Sequence, residues 1–105
     1  MPTDALLGTF EMVVLLAVVR LGGDGYGVTL RREIEERTGR DVALGSVYAT
    51  LARLEEKGLV ASHEGASTPV RGGRARRLYR VEPAGLRAVE ASRRVLSRMW
   101  EGVVG

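Results

Sequence analysis

Apolar positions along this 105-residue chain fall into blocks with distinct periods, separated by glycine-rich breaks. Residues 10–21, Phe-Glu-Met-Val-Val-Leu-Leu-Ala-Val-Val-Arg-Leu, are apolar nearly all round. That pattern suits a buried helix, and a buried strand on pattern alone; the length favours the helix. Three glycines in 22–25 end it. Residues 26–37 repeat every fourth position with Tyr26, Leu30 and Ile34, the stripe of a helix whose other face, Arg31 to Arg37, is charged and solvated. Thr38-Gly39-Arg40-Asp41 reads as a stop and a turn. A third helix follows over 44–57, with Val47, Leu51 and Leu54 inward and Gly58 as its C-terminal stop.

Beyond Gly58 the period changes. Residues 59–64 and 77–81 are short and alternating, as the arms of a hairpin are, and the Gly-, Ser-, Thr- and Pro-rich stretch 66–76 makes a long loop between them. Pro83 then stands where a helix favours its first residue, and the helical pattern continues to about residue 101. The predicted fold is mainly α with a small β-hairpin: a winged helix-turn-helix domain over residues 1–82 and a C-terminal dimerisation helix over 83–105, one compact domain overall. No internal repeat or linker divides it.

Composition narrows the chemistry. With no cysteine, disulfides, thiolate metal sites and cysteine nucleophiles are excluded, and a reducing, cytoplasmic location is expected. The apolar run 12–19 is too short to span a bilayer, and Asp4 and Glu11 ahead of it make a poor signal peptide, so no membrane association is expected. His63, the single histidine, sits in a predicted strand with Glu64 pointing to the opposite face, which leaves no dyad. It reads as a surface residue. No metal spacing and no activated nucleophile is found, so no cofactor and no enzymatic activity are expected.

Charge is uneven. Residues 1–66 carry 7 basic and 10 acidic side chains, whereas residues 67–105 carry 9 basic and 3 acidic. Five arginines and no acid lie in 71–80, the footprint of a polyanion partner; nucleic acid is the commonest, and double-stranded DNA is the partner expected here. Arg71-Gly72-Gly73-Arg74 lacks the spacing of a nucleotide-binding loop and opens no helix.

The third helix is the candidate reader. At about 100° per residue from Val47, Leu51 and Leu54 point inward, while Gly45, Ser46, Ala49, Ala52, Arg53 and Glu56 lie on the opposite side. Its small outward residues suit a helix in a major groove, and equally a helix packed closely on another. Tyr48 stands at the boundary, as a phosphate contact through its hydroxyl or as a packing residue. In the last helix Leu86, Val89, Leu96, Trp100 and Val103 follow a three-four repeat interrupted by Arg93, widened by Val95 and Met99. That stripe needs a partner helix or the first helix of its own chain.

Gly25-Tyr26-Gly27-Val28, the run from Leu44 to Val60, and the wing ending Gly72-Gly73-Arg74-Ala75-Arg76-Arg77-Leu78-Tyr79-Arg80-Val81 before Pro83-Ala84-Gly85 together resemble the PadR family of transcriptional regulators, in its short form. The resemblance spans roughly residues 5–100. It implies a homodimeric repressor on a palindromic operator, with the first and last helices at the interface and release by a small aromatic or drug-like effector in some members. The implied DNA contacts are Ser46, Tyr48, Ala49, Thr50 and Arg53 of the reading helix, with Arg71, Gly72, Gly73, Arg74, Arg76 and Arg77 of the wing. The implied interface uses Leu15 with Leu86, Val89, Leu96, Met99 and Trp100. Trp100 is also the candidate effector contact, a paired wall for a planar ligand, or else simple packing. A proline is common in the family where Ala49 stands here, so operator sequence does not carry over. The rival reading, a winged-helix protein-interaction module, is opposed by the basic wing.

Overall fold

A computed structural model describes residues 6–65 and 76–103. The apolar block forms α1 (Thr9–Arg20), and the breaks that follow deliver α2 (Gly27–Thr38) and α3 (Leu44–Glu56). The chain then pairs β1 (Val60–Glu64) with β2 (Arg77–Val81) and ends in α4 (Pro83–Trp100). This is the winged helix-turn-helix arrangement, and each element lies within a residue or so of its expected bounds. Gly58, at φ +76°, is the left-handed residue that stops α3 and turns the chain into the hairpin.

Aliphatic side chains make the core. Val14, Leu15, Ala17 and Val18 of α1 meet Leu30 and Ile34 of α2, Val47, Leu51 and Leu54 of α3, and Val60 and Tyr79 of the hairpin. The two strands are antiparallel, with Ser62 opposite Tyr79 and Glu64 opposite Arg77. Gly25, in the turn before α2, joins β2 as an isolated bridge, its carbonyl accepting the Tyr79 amide at 2.9 Å. The base of the wing is thereby tied to the entrance of α2, a link that no sequence pattern announces.

Helix α4 divides into two halves. Gly85, Val89 and Ser92 face the body, where Ser92 Oγ accepts the Leu7 amide at 3.2 Å. At Gly85 a Cβ would overlap the Leu59 carbonyl oxygen, so the helix lies directly on that backbone. From Arg93 to Trp100 every residue is exposed. Two expected interface residues are corrected here. Leu15 is fully enclosed in the core, with the neighbouring Leu16 outside instead, and Val89 packs within its own chain. His63, expected at the surface, is half-buried with Nδ1 covered and unpartnered.

Glu11 fastens the start of α1 to the end of α3. Its Oε1 accepts the Gly8 amide at 3.1 Å, and its Oε2 takes Lys57 Nζ at 2.8 Å with Arg53 Nε at 3.8 Å. The Lys57 bond holds the Glu11 carboxyl below its ordinary value of 4.5, against the opposing effect of burial. A lowered folded-state pKa means a contribution that is present above the ordinary value and lost as pH falls through the folded one. Glu11→Gln is therefore expected to lower stability by about 1 kcal/mol at neutral pH. Its denaturant midpoint should converge with that of the wild type as pH falls below 4.5 and through the lowered folded-state value. Equal midpoints at pH 7 would remove the ion pair from the account.

Candidate nucleic-acid interface

Helix α3 presents a plain outer face. Gly45, Ser46, Ala49 and Ala52 are exposed, and a Cβ at Gly45 would meet nothing within 4 Å. These residues project from a helix whose inner face, Val47, Leu51 and Leu54, is sealed in the core, so the face is held rigidly at the surface. Thr50 does not belong to it. At 1% exposure it lies inside, beside Leu51 and Leu54, and its Oγ1 accepts Arg53 Nη2 at 3.2 Å. The expectation that Thr50 touches DNA is corrected on that ground. Arg53 is exposed as expected, but its guanidinium is drawn toward Glu11 as well as Thr50.

Tyr48 packs on α2 and is still partly open to solvent. One side of the ring lies on Gly27, where a Cβ would overlap it, while the residue is still 45% exposed. Gly27 is thus the point at which α2 and α3 approach each other. Just before it, Tyr26 caps α2, its amide bonded to Thr29 Oγ1 at 3.0 Å. Arg76 lies over the Tyr26 ring, 4.6 Å from the centroid, a cation–π contact that holds the described root of the wing against α2. Tyr26, Tyr48 and Arg76 therefore form one group at the edge of the α3 face.

The wing is braced from α3 as well. Arg77 Nη1 donates to Ser62 Oγ at 2.7 Å, and Ser62 Oγ donates to Glu55 Oε2 at 2.7 Å. This chain commits Arg77 to an internal bond, though it remains exposed. Beneath it, burial pushes the Tyr79 phenol above its usual range and the Glu55 charge adds to the effect. Arg71, Gly72, Gly73 and Arg74 lie outside the described residues.

Arg31 is the residue that sequence reasoning missed. Read as part of a solvated face, it instead has its Nε enclosed without a hydrogen-bond partner. The signal was Gly27 one turn earlier on the same stripe, since a glycine inside a helix marks a close neighbour. Other arginines of the fold are neutralised locally: Arg20 and Arg37 share Glu33, Arg80 meets Glu82, and Arg93 meets Glu90. Among the described residues no group of His, Cys, Asp and Glu could hold a metal ion, and no helix is long and apolar enough to cross a membrane.

Residues 15–91 match the model of the transcriptional regulator PadR-like family. A transcriptional regulator of Mycobacterium tuberculosis, Rv3488, is 41% identical over 80 residues, which span 76% of this chain and 70% of the relative. Among solved structures, a PadR-like transcriptional regulator of Bacillus cereus superposes with a TM-score of 0.73 at 23% identity, covering 91% of this chain and 88% of its own. Bacillus subtilis PadR, solved in complex with operator DNA, superposes at 0.67 with 13% identity, over 79% of this chain and 45% of that one.

The Gly27–Tyr48 approach yields a measurable coupling. Gly27→Ala is expected to destabilise the protein by about 1–3 kcal/mol, because the methyl must displace the ring. In a Tyr48→Ala background the same change should be close to neutral. Thermal denaturation of the two single variants and the double variant tests this, and additive effects would contradict it.

Proposed function

Because this chain belongs to the PadR-like family of transcriptional regulators, and not to a family of enzymes, we propose that it is a cytoplasmic repressor that binds a palindromic operator as a homodimer. The observation that carries this reading is the outer face of α3: Gly45, Ser46, Ala49 and Ala52 bare to solvent, with cationic side chains at its edges. A helix with so small a face lies close to base edges in a major groove, where Ser46 hydrogen-bonds a base or phosphate and Ala49 meets a thymine methyl. The wing, rooted at Arg76 and Arg77, runs beside it along the backbone or into the adjacent minor groove. The Bacillus subtilis neighbour, which shares the fold, was solved in complex with operator DNA, and that supports duplex DNA as the partner.

The exposed apolar residues of α4 and the chain just after it support the dimer. Leu86, Val95, Leu96, Met99, Trp100 and Val103 are exposed large apolar residues, with Met99 at 73% and Trp100 at 63%. A second α4 related by a two-fold axis covers such a stripe, and the same axis matches the symmetry of a palindrome. Leu86, Leu96, Met99 and Trp100 thus remain as interface residues, joined by Leu16 in place of Leu15. Two Trp100 rings brought together near the axis make flat walls for a planar aromatic effector. Such a ligand releases DNA when it favours a spacing of the two readers that the operator does not accept.

Two measurements test these readings. If the dimer neutralises about eight phosphates, duplex affinity is expected to fall roughly a thousandfold or more between about 50 and 200 mM salt. Leu96→Glu with Met99→Glu should halve the mass in sedimentation and abolish tight operator binding without unfolding the body. Salt-indifferent binding, or an unchanged mass, would refute the docking or the interface respectively. For the effector, Trp100 fluorescence is titrated with planar aromatic compounds in the presence and absence of operator DNA. Quenching that is weakened by DNA is the expected result, and an unresponsive Trp100 leaves the ring as packing alone.

A further inference from the structure

One flank of α2 carries Gly27, Arg31 and Glu35 at successive turns. Contacts with α3 and its lead-in fix both ends of that flank. Gly27 lies under the Tyr48 ring, and Glu35 Oε2 accepts the amide of Val42, just ahead of α3, at 3.1 Å. Arg31 stands between these two points, so its side chain leaves α2 into the crevice beside the first turn of α3. Its Nε is shut off from solvent there and meets no acceptor. Among the described residues no carboxylate pairs with its guanidinium, although several other arginines of the fold are so paired.

The enclosed Nε fixes the stem of Arg31 in the fold, whereas its two terminal nitrogens are not among the enclosed atoms, and they present a planar fork suited to two oxygens of one anion. We propose that Arg31 anchors α2 to a phosphate of the DNA backbone at the rim of the groove that α3 enters. The contact deepens the docking described above and rests on it. Arg31 springs from the neighbouring helix and not from the reading face, so it meets the backbone and not a base. On the same edge of the site, Arg76 stacked on Tyr26 stands at the N-terminal end of α2. Along α2 the order is Tyr26 under Arg76, Gly27 against Tyr48, then Arg31, so a strand of the duplex that follows this edge has a donor toward each end. Arg31 acts as a positioning contact, adding affinity for any sequence and fixing how far the reader enters.

The experiment uses the full chain and compares wild type with Arg31→Met, Arg31→Gln and Arg31→Lys on an operator-containing duplex and on one of random sequence. Met and Gln keep most of the stem without the charge, and either suffices, with thermal midpoints showing that the fold is retained. Each phosphate contact contributes about 0.9 to the slope of log affinity against log salt. The neutral variants are therefore expected to flatten that slope by about two for the dimer and to weaken both duplexes by the same factor. Arg31→Lys should retain the wild-type slope. An unchanged slope in the neutral variants overturns the inference, whatever the affinity at a single salt concentration. A loss confined to the operator duplex overturns it as well, by making Arg31 a base reader. If the wild-type protein binds neither duplex in a salt-dependent way, the docking itself fails and this contact with it.

Discussion

Four side chains of α1, Val14, Leu15, Ala17 and Val18, form the surface on which the rest of the molecule is assembled. Helices α2 and α3, the hairpin and the first half of α4 all reach this one helix, and no second core exists among the described residues. Removing one such leucine leaves a cavity worth about 2–5 kcal/mol, against a total stability of about 5–15 kcal/mol for a domain. The reading face of α3 inherits its position from that packing. Its inner residues are locked against α1, and its outer ones are small enough to contribute little to stability, which leaves them free to serve recognition.

The fold was legible because its signals were local. A stripe of period four at Tyr26, Leu30 and Ile34, the glycines at 22–25 and at 58, and Pro83 each act over a few residues, and each element begins and ends where they place it. What stayed hidden depends on what lies opposite a side chain. Helix α1 is apolar on every side, so no wheel could tell that Leu15 is enclosed and Leu16 is not. Thr50, by contrast, falls about 300° from Val47 on the α3 wheel, beside the core leucines, and the spacing alone places it inside. Gly25 joins the sheet through its backbone, which no residue type reveals.

The candidate site was legible in its residues and less so in their states. Counting arginines by segment finds the basic half of the chain but not which cations remain available. Arg53 is shared between Thr50 and Glu11, Arg77 is the first link of a chain through Ser62 to Glu55, and Arg93 is closed on Glu90. Only tertiary structure separates these from Arg31, whose Nε meets no acceptor among the described residues. Carboxylates thus shape the electrostatic footprint by subtraction: Glu11, Glu33, Glu55 and Glu90 remove cations from the pool that an incoming polyanion meets.

The division of α4 has a consequence for how such proteins diverge. Gly85, lying on the Leu59 carbonyl, and Ser92, bonded to the Leu7 amide, allow little change, because a side chain at 85 strikes backbone and a change at 92 leaves the Leu7 amide without its acceptor. The two turns after Ser92 are exposed and carry no part of the α3 face. A cell that holds several regulators built on the same core faces the hazard of mixed dimers, which would present two different readers to one palindrome. On the dimer proposed above, altering the apolar pattern of those last turns would insulate one copy from its siblings while its core and its operator preference stay as they were. Partner choice and DNA choice can therefore drift on separate surfaces of a chain of only 105 residues.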